Sequence, residues 1–226
     1  MKKRYCILSF AVFIITLTTN RLCAQVFQGP SDAVSAAPVN PSDVNKIITS
    51  GQSITMTGPQ DENKKDYSTY SWYKIDASGK KQLTSVKTKK YTEVATAQGY
   101  YSYQLVTENS NGCESPVSDV FKVFVLPVID ITVTAANTSI CTDVGSTTLT
   151  AKTSLKNQNL VYQWYRNGVK INGANDETYN VTGEAKAEKI IFSVSASFAL
   201  NPNSPVTVTK EVTVIPQATK PMITAN

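Results

Sequence analysis

The chain has two tryptophans, and both stand in the same setting. "YSWYKID" runs from Tyr70 to Asp76 and "YQWYRNG" from Tyr162 to Gly168, each reading Tyr-x-Trp-Tyr-basic, 92 residues apart. A second pair of strings repeats at almost the same distance. "SPVSDVFKVFVLP" (Ser115 to Pro127) matches "SPVTVTKEVTVIP" (Ser204 to Pro216) at an offset of 89. Two unrelated motifs recurring at nearly one spacing mark two copies of one module, with boundaries near Pro127 and Pro216. Each copy is about 90 residues, enough for a modest core of its own.

Between these anchors the hydrophobic period is two. Ile54 and Met56 alternate with polar neighbours in "SITMT", and Thr147 and Leu149 do so in "TTLTA". "YYSYQLVT" places Tyr101, Tyr103 and Leu105 on one face, and "FSVSASF" does the same with Phe192, Val194, Ala196 and Phe198. Such alternation means strands with one face buried and one wet. Asn111-Gly112, Asn167-Gly168 and Asn172-Gly173 tolerate positive φ and predict tight hairpins. No segment past the leader has a helical period beyond a single turn. Many short strands in modules of this size predict an all-β fold, two tandem immunoglobulin-like β-sandwiches, with Trp72 and Trp164 as their core plugs. Tyr101 follows Gly99 and lies 29 residues after Trp72, where such a sandwich keeps a tyrosine that braces the turn into its sixth strand. Phe192, 28 residues after Trp164, reads as its counterpart without the bracing hydroxyl.

The strings "YQWYRNGVKINGANDETYNVTG" and "NSNGCES" resemble the Ig-like and PKD-like repeat modules of bacterial (Bacteroidota-type) cell-surface and secreted proteins. The likeness covers residues 45 to 216. It implies extracellular binding, spacing or adhesion rather than catalysis. Members often carry one Cys before the second strand and another after an Asn-Gly turn. Here the first copy keeps only the later, Cys113, and the second only the earlier, Cys141. The disulfide between sheets of antibody domains is missing as well. Met56 and Tyr103, and Leu149 and Val194, take the expected positions. In a linear tandem Cys113 and Cys141 would stand about 40 Å apart, against about 6 Å between bridged Cα atoms. Free thiols are the expectation, and pairing requires the modules to fold back on each other.

The chain opens "MKKRYCILSFAVFIITLTTNRLCAQ", a basic stretch, an apolar run from Ile7 to Leu17 and a small residue at Ala24. This reads as a signal peptide over residues 1–24, cleaved after Ala24 and leaving no transmembrane anchor. A lipid anchor at Cys23 is the weaker alternative, because Asn20-Arg21-Leu22 poorly suits it. Loss of Lys2, Lys3, Arg4 and Arg21 takes the net charge from +5 to +1. The basic character is thus mostly that of the leader, and a nucleic-acid partner is not expected. An exported destination follows: secreted, outer surface or periplasm. Residues 25–44 read as a flexible lead-in. Residues 45–127 and 128–216 read as the modules, and residues 217–226 as a tail resembling the opening of a third.

The sequence lacks histidine, which removes the commonest general base and metal ligand. There is no phosphate-binding glycine loop and no zinc spacing, so no catalytic residue, metal or cofactor is expected. The acids of "DENKKD" lack the spacing of a calcium loop. Asp176-Glu177 is an isolated turn pair. A basic stretch from residue 61 to 90 holds Lys64, Lys65, Lys74, Lys80, Lys81, Lys87, Lys89 and Lys90. It suits an acidic polysaccharide, or more simply edge strands guarded against pairing. Tyr73 and Tyr100 are expected to face outward on neighbouring strands as an aromatic platform, with Tyr165 the counterpart of Tyr73. Two functions remain: a non-enzymatic adhesion, interaction or spacer element, with a protein or surface polysaccharide partner, or a carbohydrate-binding protein using the Tyr73/Tyr100 face.

Overall fold

The alternating runs form strands that assemble as two sandwiches in tandem. A computed structural model describes residues 27–156 and 159–223. The leader, with its cleavage site and Cys23, lies outside the described residues. The first module contains β1 (Lys46–Thr49), β2 (Ser53–Thr57), β3 (Thr69–Ile75), β4 (Lys81–Leu83), β5 (Lys90–Val94), β6 (Gly99–Glu108) and β7 (Phe121–Leu126). Its larger sheet has the order β1-β7-β6-β3-β4, and β2 pairs with β5 in the second. The other module contains β8 (Ile131–Ala135), β9 (Ser139–Cys141), β10 (Ser146–Thr153), β11 (Leu160–Arg166), β12 (Val169–Lys170), β13 (Thr178–Thr182), β14 (Lys189–Phe198) and β15 (Asn201–Ile215). Its sheets run β12-β11-β14-β15-β9 and β13-β10-β8. In both, one short strand pairs in parallel with the last strand (β1 with β7, β9 with β15), while the other pairings are antiparallel. This is immunoglobulin-like topology.

The period-two positions face the cores. Ile54, Tyr101, Tyr103, Leu149, Trp164 and Val194 are fully buried, as Trp72 is almost completely. Each indole N–H also has a partner. Trp72 Nε1 donates to the carbonyl of Thr88 at 2.9 Å, and Trp164 Nε1 to that of Asp176 at 2.9 Å. Both carbonyls lie in the loop that precedes the strand opposite. The Trp72 ring tilts against Tyr91 at 5.7 Å, and that of Trp164 stacks on Tyr179 at 6.0 Å. An indole in such a setting removes about 150–250 Å² from water. That is worth roughly 4–6 kcal/mol gross at about 25 cal/mol/Å².

Tyr101 braces its corner. Its hydroxyl donates to the carbonyl of Ala97 at 3.2 Å and accepts from the backbone N–H groups of Thr96 and Ala97 at 3.1 and 3.2 Å. Its counterpart is a correction to the sequence reading. Trp72 pairs with Leu105 and Trp164 with Val194, so Tyr103 matches Phe192, and Tyr101 matches Ile190. The repeat offset is 92 at the tryptophans but 89 along β6 and β14, so three residues are lost between them. Phe192 is a core residue, 1% exposed, and the second corner is apolar because Ile190 holds it.

Of the three Asn-Gly pairs, only Asn167-Gly168 makes a two-residue hairpin. Their φ values of 45° and 80° give the primed turn that joins β11 to β12. Asn111-Gly112 and Asn172-Gly173 sit in longer connections. Residues 127–130 join the modules, and Asp130 pins this link to the second one. Its Oδ1 accepts from Thr153 Oγ1 at 2.9 Å and from the Ser154 N–H at 3.2 Å.

Trp164→Ala should cost about 3–5 kcal/mol, since it deletes a fully buried ring and leaves the Asp176 carbonyl without its donor. Urea denaturation followed by far-UV circular dichroism measures this, and an unchanged midpoint would refute the indole's role.

Candidate functional site

The expected aromatic platform does not assemble. Tyr73 on β3 lies opposite Gln104, whereas Tyr100 lies at the start of β6, opposite Phe124. Four register positions, about 13 Å, separate the two along the sheet. Tyr100 is also occupied: its ring sits 4.8 Å from that of Phe124, and its hydroxyl donates to the Ala36 carbonyl at 2.9 Å. Tyr165 lies opposite Ser193, half-buried like Tyr73. The registers make Lys189 the equivalent of Tyr100 in the second module.

What covers Tyr100 is the segment read from sequence as a flexible lead-in. β3 ends opposite Ser102, which leaves the start of β6 open on that side. Asp32 fills the gap. Its N–H donates to the Tyr100 carbonyl at 3.1 Å and its carbonyl accepts from the Tyr100 N–H at 2.7 Å. The Ser31 hydroxyl accepts from the Ser102 N–H at 2.9 Å. Gly99 permits this approach: at φ 134° it has a backbone few side-chain residues adopt, and a Cβ there would meet the Asp32 carbonyl oxygen at 2.4 Å. Farther back, the Phe27 N–H donates to Gln82 Oε1 at 3.2 Å.

Beneath this segment lies a polar cluster that sequence reading missed. Lys74, counted there in the basic stretch, points inward and is 1% exposed. Its Nζ contacts Oε1 of Glu93, which reaches across from β5 in the opposite sheet. The other carboxylate oxygen, Oε2, accepts from the hydroxyls of Tyr91 at 2.8 Å and Tyr103 at 3.0 Å. The Lys74 ammonium stands over the rings of Phe27 at 4.7 Å and Tyr101 at 5.0 Å. Burial pushes the Lys74 pKa below its ordinary value, against the opposing pull of Glu93. Burial first, and then the Glu93 carboxylate, pushes both tyrosine hydroxyls well above 10. The alternation that placed Trp72 inward also placed Lys74 inward, two residues on. That signal was present but overridden by the habit of reading lysines as solvated.

The remaining lysines of this stretch lie on the surface or are half-exposed. Lys81 is on β4, an edge strand, and Lys89 pairs with Asp66 at 2.6 Å. Cys113 is exposed and Cys141 half-buried, and both are free. The registers put Cys113 beyond the end of β6 farthest from the link, and Cys141 at the end of β15 farthest from it. Among the described residues no group of three or more Cys, Asp or Glu is placed to hold a metal ion, and no helix is long and apolar enough to cross a membrane.

No family model matches the chain, and no curated protein matches it. Solved structures of similar shape include the fibronectin(III)-like modules of Clostridium thermocellum CbhA, at 16% identity over 77% of this chain and 90% of that one, TM-score 0.41. The FN1–FN3 domains of chicken CNTN1 are similar at 13% identity over 78% and 67%, TM-score 0.39. A marsupial T cell receptor is similar at 13% identity over 78% and 73%, TM-score 0.49. The fold class itself rests on the strand order and registers of this chain.

The buried tyrosines set a pH dependence. A hydroxyl whose pKa is higher in the fold than in the unfolded chain contributes stability that is whole below the unfolded value near 10 and is lost as pH rises above it. Between about pH 9 and about pH 11 the urea midpoint of the wild type should therefore lose ground relative to the Tyr91→Phe/Tyr103→Phe variant, which keeps the opposing contribution of Lys74 but lacks the hydroxyls. Equal slopes for the two proteins would count against the buried hydroxyls.

Proposed function

We propose that this chain is a non-enzymatic, exported protein whose two immunoglobulin-like modules act as a spacer or interaction element on the cell surface or in a secreted assembly. The observation behind this reading is the junction. Val44, Phe124 and Leu126 of the first module share one continuous buried cluster with Ile129 of the link and with Ile131, Trp164 and Phe198 of the second module. Tyr100 and Ile47 pack against the same cluster. Independent beads on a flexible string would leave this apolar surface wet. Burying it couples the modules, as suits an element that holds something at a fixed distance. The short link supports the same reading, with Pro127 in it and Asp130 tied at its end.

The absence of histidine from the sequence, and among the described residues of any group of three or more Cys, Asp or Glu placed to hold a metal ion, supports a binding or mechanical role over catalysis. Export rests on the leader sequence. The partner is proposed as a protein or a surface polysaccharide. The carbohydrate reading through a Tyr73/Tyr100 platform is the weaker one, because these rings are far apart and Tyr100 is engaged.

Leu126→Asp should uncouple the modules. Small-angle scattering is expected to show a broader distribution of maximum dimensions than the wild type, and unfolding to split into two transitions. A variant with the wild-type scattering profile and a single transition would remove the junction as the basis of the spacer role.

A further inference from the structure

The second module is an internal control for the buried polar cluster of the first. At the positions matching Tyr91, Glu93, Tyr101 and Tyr103 it carries Tyr179, Val181, Ile190 and Phe192, three of them apolar. Arg166, the match of Lys74, is 39% exposed and turns to Glu184 at 2.7 Å and Glu188 at 3.0 Å. The same sandwich therefore closes without a buried cation, a buried acid or their tyrosine donors. In the first module all of these converge on one carboxyl group. A buried ion pair is seldom retained for stability alone, because desolvation offsets most of its attraction.

We infer that Lys74 and Glu93 are the two halves of an intramolecular amide cross-link that joins the two sheets of the first module. The geometry supplies what the condensation needs. Lys74 Nζ lies against Oε1, one bond from the carboxyl carbon, held there by the Phe27 and Tyr101 rings. Away from water the pair exchanges its proton to become an amine and a carboxylic acid. The low pKa that burial gives Lys74 favours this neutral form. The nitrogen lone pair then attacks Cδ, and the electron pair of the C=O bond moves to Oε2. There the Tyr91 and Tyr103 hydroxyls already donate, a ready oxyanion hole. Oε1, carrying the acid proton, takes a second proton from the nitrogen and departs as water, and the C=O bond reforms. In balance, an ammonium and a carboxylate become one amide and one water, with no oxidant, reductant or cofactor. The water has an exit: a cleft of about 210 Å³ beside Glu93, lined by Thr84, Val86, Tyr91 and Thr92 under Phe27. Thr84 is 6% exposed, and its hydroxyl finds no partner among the described residues, so it can receive that water.

Mass spectrometry of the folded wild-type chain, denatured and digested with trypsin, tests this directly. The link blocks cleavage after Lys74, so the expected product is the segment 66–80 joined to the segment 91–122, lighter than their sum by one water. Lys74→Arg should yield only the separate peptides. Tyr91→Phe/Tyr103→Phe should form the link at least tenfold more slowly. Full recovery of unlinked peptides carrying Lys74 and Glu93 from a folded wild-type chain overturns the inference, whatever the variants do. An unchanged rate in the double phenylalanine variant overturns the part assigned to the hydroxyls. The result does not depend on whether the chain serves as a spacer.

Discussion

Each module is built around one indole held between two sheets, with its N–H tied to a loop carbonyl. The ring alone would supply apolar area. The hydrogen bond adds direction, because Thr88 and Asp176 both precede the strand that closes the opposite sheet. The tryptophan thus sets the spacing between sheets and fixes where the chain turns into β5 in the first module and β13 in the second. Neither module has the inter-sheet disulfide that performs this service in antibody domains, and both known cysteines of the described region are free. Much of the load of holding the layers together therefore falls on the plug and the side chains packed around it.

From that shared plan the two copies diverge in what surrounds the plug. The second is mostly apolar along β14, with Ile190, Phe192 and Val194 in a row. The first keeps a lysine, a glutamate and three tyrosines in the same volume, each with its partner. Buried polar groups are costly unless fully satisfied, and here Glu93 accepts at both oxygens. The segment from Phe27 to Ala36 completes the arrangement, with one ring over the lysine and a backbone bridge to Tyr100. Beyond it, Val44, Phe124 and Leu126 join the buried cluster of the second module, while the residues around Trp72 form a cluster of their own.

Strand identity was legible in the sequence because alternation reports which face is wet, and the repeat revealed the tandem because two motifs moved together. The register within the second copy was not. A three-residue shortening between β11 and β14 shifts the offset from 92 to 89, and matching by distance from Trp164 then selects Phe192 where the pairing selects Ile190. Alternation also fails to say how far apart along a sheet two outward rings lie. That depends on pairing, which is why Tyr73 and Tyr100 looked adjacent and are not. The lead-in between Phe27 and Ala36 has no period to read, since it is held by single bridges and side-chain contacts rather than by a ladder. Lys74 is the opposite case: its position was readable from the period, and only its charge argued otherwise.

The chain's two indole N–H groups give two resolved signals in a nitrogen–proton correlation spectrum, so their exchange with deuterated water is the most direct measurement of the central claim. Both should exchange only as fast as their module unfolds, orders of magnitude more slowly than a free indole. Exchange of either at the free rate would mean that its ring is not sealed between sheets, and the two-plug account would not stand.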